Sequence, residues 1–260
     1  MSVTTRRRPL RDLAFPLGTL VGLIALWQGY VRLFGVSPVV LPAPTAVADV
    51  LTARQALLLS STVTTLTESL SGFALATAVA VPVAAAITFS PVLRRTIYPL
   101  LLASESVPKL ALAPVVLLWL GYGEQTRIAV SAIVALFPII IATSLGLGST
   151  PKELLELSRS LNASRWHTFR TIRFRHALPS FFGGLKIAVG LSIVGAVIGE
   201  FIGSDKGLGY LVLAATSQSR GDLAFAALTC LAVLGIVLFG LVSLVERWAT
   251  PWAPRTGDLR

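Results

Sequence analysis

Residues 128–147, IAVSAIVALFPIIIATSLGL, run for twenty positions without Asp, Glu, Lys or Arg. A helix of about 20 apolar residues spans a hydrocarbon core about 30 Å thick while satisfying its own backbone N–H and C=O groups. Three further uncharged runs lie at 13–31, 69–93 and 223–245. Two more apolar stretches are interrupted: 97–122 carries Glu105, Pro108 and Lys109, and 187–202 follows Lys186 and contains Glu200. The pattern predicts an all-α integral membrane protein with six transmembrane helices over 13–245. A segment of 1–12 precedes them and a tail of 246–260 follows.

Composition agrees. Of 260 residues, 54% are hydrophobic and only 13% are charged, where a soluble domain carries about 25% charged residues. Such a chain is neither a disordered polymer nor an ordinary soluble enzyme. Cys230 is the single cysteine and His167 and His176 the only histidines, so no disulfide or Cys/His metal framework is available. The net charge of +10 raises nucleic acid as a partner, but the placement of the charge decides against it. Arg6, Arg7, Arg8 and Arg11 precede the first span, and its length and lack of a cleavage site predict an uncleaved anchor with an inside amino terminus. Alternating the spans then puts Arg94, Arg95, Lys152, Arg159, Arg165, Arg170, Arg173, Arg175, Arg247, Arg255 and Arg260 on the same side. Arg54, Arg127, Lys206 and Arg220 fall opposite. This is a positive-inside distribution, which orients a membrane protein without any polyanion.

The basic residues between the fourth and fifth spans sit in a long loop with helix signals of its own. Thr150-Pro151-Lys152-Glu153 has the form of a capping box, with Pro at the first helical position. Leu154, Leu157 and Leu161 follow at helical spacing. Asn162 then stands where a left-handed residue ends a helix, and Ser164 is placed to cap a second helix running towards Pro179. In that helix Trp166, Phe169 and Ile172 alternate with arginines. Such a helix pair suits either anionic lipid headgroups or a cytoplasmic protein partner.

At this loop the sequence resembles the permease subunits of binding-protein-dependent ABC importers, whose signature is Glu-Ala-Ala, Gly after three intervening residues, then Ile and Leu-Pro. Glu156, Leu157, Ser158, Asn162 and Ile172 stand at the matching positions, with Leu and Ser for the alanines, Asn for Gly and Phe174-Arg175 for Leu-Pro. A second Leu-Pro follows at Leu178-Pro179, as in the nitrate, sulfonate and taurine branch. Leu41-Pro42-Ala43-Pro44, Gly72-Phe73-Ala74-Leu75, residues 108–123 (PKLALAPVVLLWLGYG), Gly199-Glu200-Phe201 and Gly207-Leu208-Gly209-Tyr210 complete the series in family order.

The resemblance implies the type I ABC importer permease fold in a bacterial inner membrane, with both termini cytoplasmic. It also implies a coupling loop, 148–180, seated on a separate ATPase. Two such ATPases, an extracytoplasmic binding protein, a second permease copy forming a homodimer, and membrane lipid are the implied partners. ATP and Mg belong to the ATPase, and no cofactor binds the permease directly. Glu156 is the implied acidic contact and Asn162 the turn. Glu153, Ser158, Ala163, Trp166, Ile172 and Pro179 complete the implied coupling surface. The branch carries small anions such as nitrate, sulfonates and taurine, and relatives carry vitamin precursors.

Charged residues at membrane depth are costly and often mark a pathway. Glu105 and Lys109 are four apart around Pro108, which removes a helical donor. On one reading Ser104, Glu105, Lys109 and Glu200 line or gate a translocation route. On the other, Glu105 and Lys109 pair at the interface, Lys109 snorkels to water, and Glu200 marks a span end. Glu68, heading the second span, is expected as an interfacial cap, and Trp27, Tyr30, Trp119, Tyr122, Trp248 and Trp252 as interfacial anchors. Gly183, Gly184, Gly190, Gly195 and Gly199, with Ala188 and Ala196, suit close helix packing.

Three function classes follow: a permease subunit energised by a separate ATPase, a self-energised secondary transporter, and an intramembrane enzyme. The chain has no Gly-rich phosphate loop ending in Lys-Ser or Lys-Thr. It shows no internal repeat of the kind common in secondary transporters and no nucleophile–base constellation. These features favour the first class.

Overall fold

The computed structural model describes residues 9–104 and 106–252. Glu105 and the terminal charges Arg6, Arg7, Arg8, Arg255 and Arg260 lie outside the described residues.

All regular elements among the described residues are helical. In chain order they are α1 (Pro9–Phe34), α2 (Pro44–Ala53), α3 (Gln55–Phe89), α4 (Pro91–Ser104), a 3₁₀ turn (Lys109–Leu112), α5 (Ala113–Leu120), α6 (Glu124–Gly148), α7 (Lys152–Ser160), α8 (Arg165–Thr168), a π turn (Phe169–Arg173), α9 (Phe174–Gly203), α10 (Leu208–Ser217) and α11 (Gly221–Ala249). Five helical stretches among the described residues are long and apolar enough to cross a membrane: Leu17–Phe34, Gln55–Phe89, Glu124–Gly148, Arg165–Gly203 and Gly221–Ala249. At 1.5 Å per residue, α3 alone reaches about 52 Å, well beyond a hydrocarbon core.

Five of the six expected spans are thus single long helices, and the third is a broken one. Residues 97–122 are divided among α4, the 3₁₀ turn and α5, with a break at 106–108. Pro108 and Pro114 each withdraw a backbone donor, and Pro114 stands in the first turn of α5, where that loss is harmless. Pro82, Pro138 and Pro179 lie inside α3, α6 and α9 without ending them.

The chain divides into two compact units, one formed by Met1–Leu59 and Leu211–Thr229, the other by Ser60–Tyr210 and Cys230–Arg260. In the first, the Trp27 ring meets that of Phe225 at 5.8 Å, and the Gln28 carbonyl oxygen accepts the Thr45 N–H at 3.2 Å. In the second, α6 and α9 pack along their length. Ala76, Ala80 and Ala84 form a ridge of small residues on α3 and pack against Ala132, Ala135 and Ile139 of α6 and Phe182, Leu185 and Ala188 of α9.

Three of the five glycines read as packing residues mark the α6–α9 contact. A Cβ on Gly184 would lie 2.6 Å from the Ala142 Cβ, on Gly195 2.7 Å from the Ser131 Cα, and on Gly199 2.9 Å from the Arg127 Cα. Gly183 and Gly190 face open space, so they take no part in the seam. Ala188, Ser192 and Ala196 continue it with no exposed surface, and the Ser131 hydroxyl donates to the Ser192 carbonyl at 2.9 Å. Small residues let the two backbones approach closely, which lets dispersion and a hydroxyl–carbonyl bond take the place of the hydrophobic drive that lipid does not supply.

Candidate functional site

Two arrangements stand out in the larger unit. The first is a buried polar cluster joining α3, α6 and α9. Thr65 and Glu68 lie one turn apart on α3. Arg127 of α6 donates from Nε to Glu68 Oε1 at 2.5 Å, the two side chains being 6% and 1% exposed, and from Nη1 to the Gly203 carbonyl at 3.4 Å. A close approach of this kind, with the guanidinium also bound to a carbonyl, is what a desolvated ion pair needs to persist.

Beside it, Glu200 of α9 is wholly buried. Its Oε1 accepts the Thr65 hydroxyl at 2.6 Å and its Oε2 accepts the Gly209 N–H at 2.5 Å, while the Thr65 oxygen accepts the Leu208 N–H at 2.8 Å. The Glu200 carboxylate and the Thr65 hydroxyl thus cap the first N–H groups of α10. The Gly207-Leu208-Gly209 sequence makes this possible: Gly207 has φ +102°, and a Cβ there would fall on the Glu200 carboxylate.

The second arrangement is the loop between α6 and α9. The expected capping box does not form. Pro151 is extended, α7 starts at Lys152 without a side-chain cap, and the Thr150 hydroxyl turns back to the Leu147 carbonyl at the end of α6. Asn162 is left-handed with φ 50°, and the Ser164 hydroxyl accepts the His167 N–H at 3.2 Å, as the sequence predicts. The second loop helix does not stop near Pro179. It continues from α8 through the π turn into α9, as one helical stretch from Arg165 to Gly203.

Ser158, buried, shares a 2.6 Å hydrogen bond with Thr168, and the Ala163 N–H donates to the Ser158 carbonyl at 3.0 Å. These bonds lock α7 and α8 into one block. Its outward face carries Leu157, Leu161 and Trp166, 56%, 72% and 69% exposed, among exposed Glu153, Glu156 and arginines. An exposed apolar patch rimmed by charge is the form of a contact surface.

Residues 57–251 match the family model described as binding-protein-dependent transport system inner membrane component. The chain belongs to this family of ABC importer permeases. The riboflavin transport system permease protein RibX of Chloroflexus aurantiacus is 35% identical over 256 residues, 96% of each chain. The formylaminopyrimidine transport permease protein ThiX of Halalkalibacterium halodurans is 32% identical over 231 residues, 88% of this chain and 92% of that one. Other relatives are named for sulfonates, taurine and nitrate. Among solved structures, an inward-facing MetNI methionine ABC transporter chain aligns with a TM-score of 0.66 at 18% identity, over 76% of this chain and 98% of that one. That likeness concerns the fold. The relatives are transport permeases and not enzymes, so the intramembrane-enzyme reading falls.

In this permease the described residues expected to line a pathway, Ser104, Lys109 and Glu200, each meet a group of the chain itself. Ser104, half-buried, closes α4 by donating to the Leu101 carbonyl at 2.6 Å. The Lys109 ammonium stands over the Phe137 ring, 4.7 Å from its centroid, in a cation–π contact with α6. Glu200 has both carboxylate oxygens occupied by donors from the chain itself. The Glu68–Arg127 pair was not legible in the sequence. Glu68 read as an interfacial cap and Arg127 as a scattered charge, and only the absence of any other ionisable residue nearby in 55–89 singled out Glu68.

Of the residues expected to form a coupling surface, Ser158 is buried, Ala163, Ile172 and Pro179 are half-buried, and Glu153, Glu156, Asn162 and Trp166 are exposed. The permease therefore presents the acidic and aromatic members of the set outward and uses the small ones to hold the loop's shape.

Proposed function

We propose that this permease forms the translocation path of an ATP-driven importer by alternating access, coupled through 148–180 to a separate ATPase. The observation that carries the reading is the locked α7–α8 block, which turns Leu157, Leu161 and Trp166 out beside Glu153 and Glu156. Leucine and tryptophan side chains left bare between acidic and basic residues favour burial by a protein partner, with the charges setting register.

Two ATPase subunits use ATP and Mg, an extracytoplasmic binding protein delivers the solute, and a second permease copy completes the path as a homodimer. The arginine-rich loop then faces the cytoplasm, as do both termini, in a bacterial inner membrane. Ser104 and Lys109 border the break between α4 and α5 and, with Glu105, gate the route. Glu200 contributes by fixing α10 rather than by meeting solute. The solute is a small anion of the nitrate, sulfonate or taurine kind or a vitamin precursor. The relatives named for riboflavin and formylaminopyrimidine support the second class, and those named for sulfonates, taurine and nitrate the first.

Co-purification with a co-expressed cognate ABC ATPase tests the coupling. Trp166→Glu and Glu156→Lys are expected to abolish co-purification while leaving the melting temperature in detergent unchanged. Retention of the ATPase by both variants would remove the loop as its seat. Thermal-shift screening of the cognate binding protein against anions and vitamin precursors identifies the solute class.

A further inference from the structure

Between the coupling block and the rest of the larger unit runs a narrow aromatic contact. Phe169 is the first residue of the π turn, and its ring lies 5.2 Å from that of Phe89, edge to face. Phe89 is the last residue of α3. The Arg173 guanidinium stands over the other end of the same contact, 5.9 Å from the Phe89 ring centroid. On the loop side, Trp166 and Phe174 flank the Phe169 ring at 5.7 and 6.2 Å, and Thr168, its chain neighbour, is the residue bonded to Ser158. Phe169 thus belongs mechanically to the α7–α8 block.

On the other side, α3 and α4 meet at a corner of one residue, Ser90. Its N–H donates to the Ala86 carbonyl at 3.0 Å, its carbonyl accepts the Arg94 N–H at 2.9 Å, and its hydroxyl accepts the Leu93 N–H at 3.3 Å. Pro91 follows at the first helical position of α4, with its φ fixed by the ring. A corner tied on both sides transmits a displacement of Phe89 to α4 without slack. The π turn supplies the compliance on the loop side. There the ladder skips a residue, as the Phe174 N–H donating to the Phe169 carbonyl shows, and single π turns inside α-helices recur at functional sites.

We propose that the Phe89–Phe169 contact is the link through which movement of the coupling block tilts α4, making both phenylalanines positioning residues for the gate at the α4–α5 break. This rests on the coupling reading above and adds the direction of transmission: from loop to the α3–α4 corner by an aromatic pair, in parallel with the covalent route from α8 into α9. Phe89 is 52% exposed, so replacing it removes the contact without opening a core cavity.

The test uses the full permease–ATPase complex in a Cys230→Ser background with Arg95→Cys on the exposed side of α4 as reporter. The rate of labelling by a water-soluble maleimide is measured with and without ATP plus vanadate. The trapped complex is expected to change the labelling rate. Phe89→Leu is expected to abolish that change while the ATPase stays bound and hydrolyses ATP at its basal rate, and Phe169→Leu is expected to abolish it as well. Phe89→Tyr, which keeps the ring, is expected to restore it. An unchanged labelling rate in the unsubstituted complex, or a full response in Phe89→Leu and Phe169→Leu, overturns the link while leaving the docking reading intact. Failure of the unsubstituted chain to hold the ATPase instead removes the docking reading, and the link with it.

Discussion

Arg127 of α6 and Glu68 of α3 form an ion pair buried on both sides, Nε to Oε1 at 2.5 Å, with Arg127 also reaching the Gly203 carbonyl of α9. Three helices meet at this guanidinium, and its desolvation is compensated only while its partner is charged. Glu68→Leu leaves an unpaired buried cation, and a loss of about 3–5 kcal/mol is expected, as when one partner of a buried pair is removed. The double variant Glu68→Leu/Arg127→Leu is expected to recover most of that loss. Thermal unfolding in detergent, followed by size-exclusion of the surviving fraction, checks both. A double variant less stable than Glu68→Leu alone would show that the pair is net stabilising.

Glu200 and Thr65 hold the start of α10 by two hydrogen bonds and are joined to each other by a third, so that two of the three end on the Glu200 carboxylate. Glu200→Ala removes both carboxylate bonds, each worth about 1.5–3 kcal/mol when an acceptor is charged. Thr65→Val keeps the shape but loses the hydroxyl, so it is expected to cost less. Hydrogen exchange at Leu208 and Gly209 reads the effect locally: both variants should speed it, Glu200→Ala more. Equal protection in all three chains would show that the cap is not what orders α10.

The α6–α9 seam discriminates between glycines that share one helix. Gly195→Ala places a methyl 2.7 Å from the Ser131 Cα, a backbone atom that cannot step aside, and is expected to lower the melting temperature and the yield of folded permease. Gly190→Ala meets nothing within 4 Å and is expected to be neutral or slightly stabilising, since alanine favours helix over glycine by about 1 kcal/mol. Comparable losses from the two would contradict the packing.

Lys109 lies over Phe137 beside the break that interrupts the third apolar stretch. Lys109→Met retains the length of the side chain and removes its charge. Uptake into proteoliposomes containing the complete importer is expected to fall about tenfold or more, a barrier increase of at least 1.4 kcal/mol, with assembly unaffected. Uptake at the rate of the unsubstituted permease would take Lys109 out of the route.

Asn162 occupies left-handed space at φ 50°, where a β-branched side chain is disfavoured by about 1–2 kcal/mol. Asn162→Gly is expected to hold the ATPase as well as the parent or better, whereas Asn162→Val should weaken its co-purification several-fold. The reverse order would mean that the Asn162 side chain, and not the turn, is what the ATPase recognises.

The apolar runs identify a membrane protein because each is a local quantity: twenty neighbouring side chains either do or do not match a hydrocarbon core. The left-handed Asn162 and the Ser164 cap are local too, and both appear as the sequence implies. The capping box at Thr150 fails for a reason of the same scale but from the other side. α7 begins at Lys152 with Pro151 in the cap position, so Thr150 stands one residue outside the cap and its hydroxyl donates to the Leu147 carbonyl at the end of α6. The third apolar stretch is broken between Ser104 and Lys109, around Pro108, and apolarity alone does not say where such a stretch turns.

The sequence by itself determined the solvent, the helical class, the family and the sites of the loop turns, since these follow from composition, period and short motifs. Only the tertiary structure decided that Glu68 pairs with Arg127, that Glu200 is spent on α10, and that Gly195 packs while Gly190 does not. It alone brings Phe169 onto Phe89. Glu68 and Arg127 are 59 positions apart, Glu200 and its cap partner Thr65 135, and Phe89 and Phe169 80. Which face of a long uncharged helix turns inward depends on the neighbouring helices it meets, and an apolar run carries no periodicity that says so.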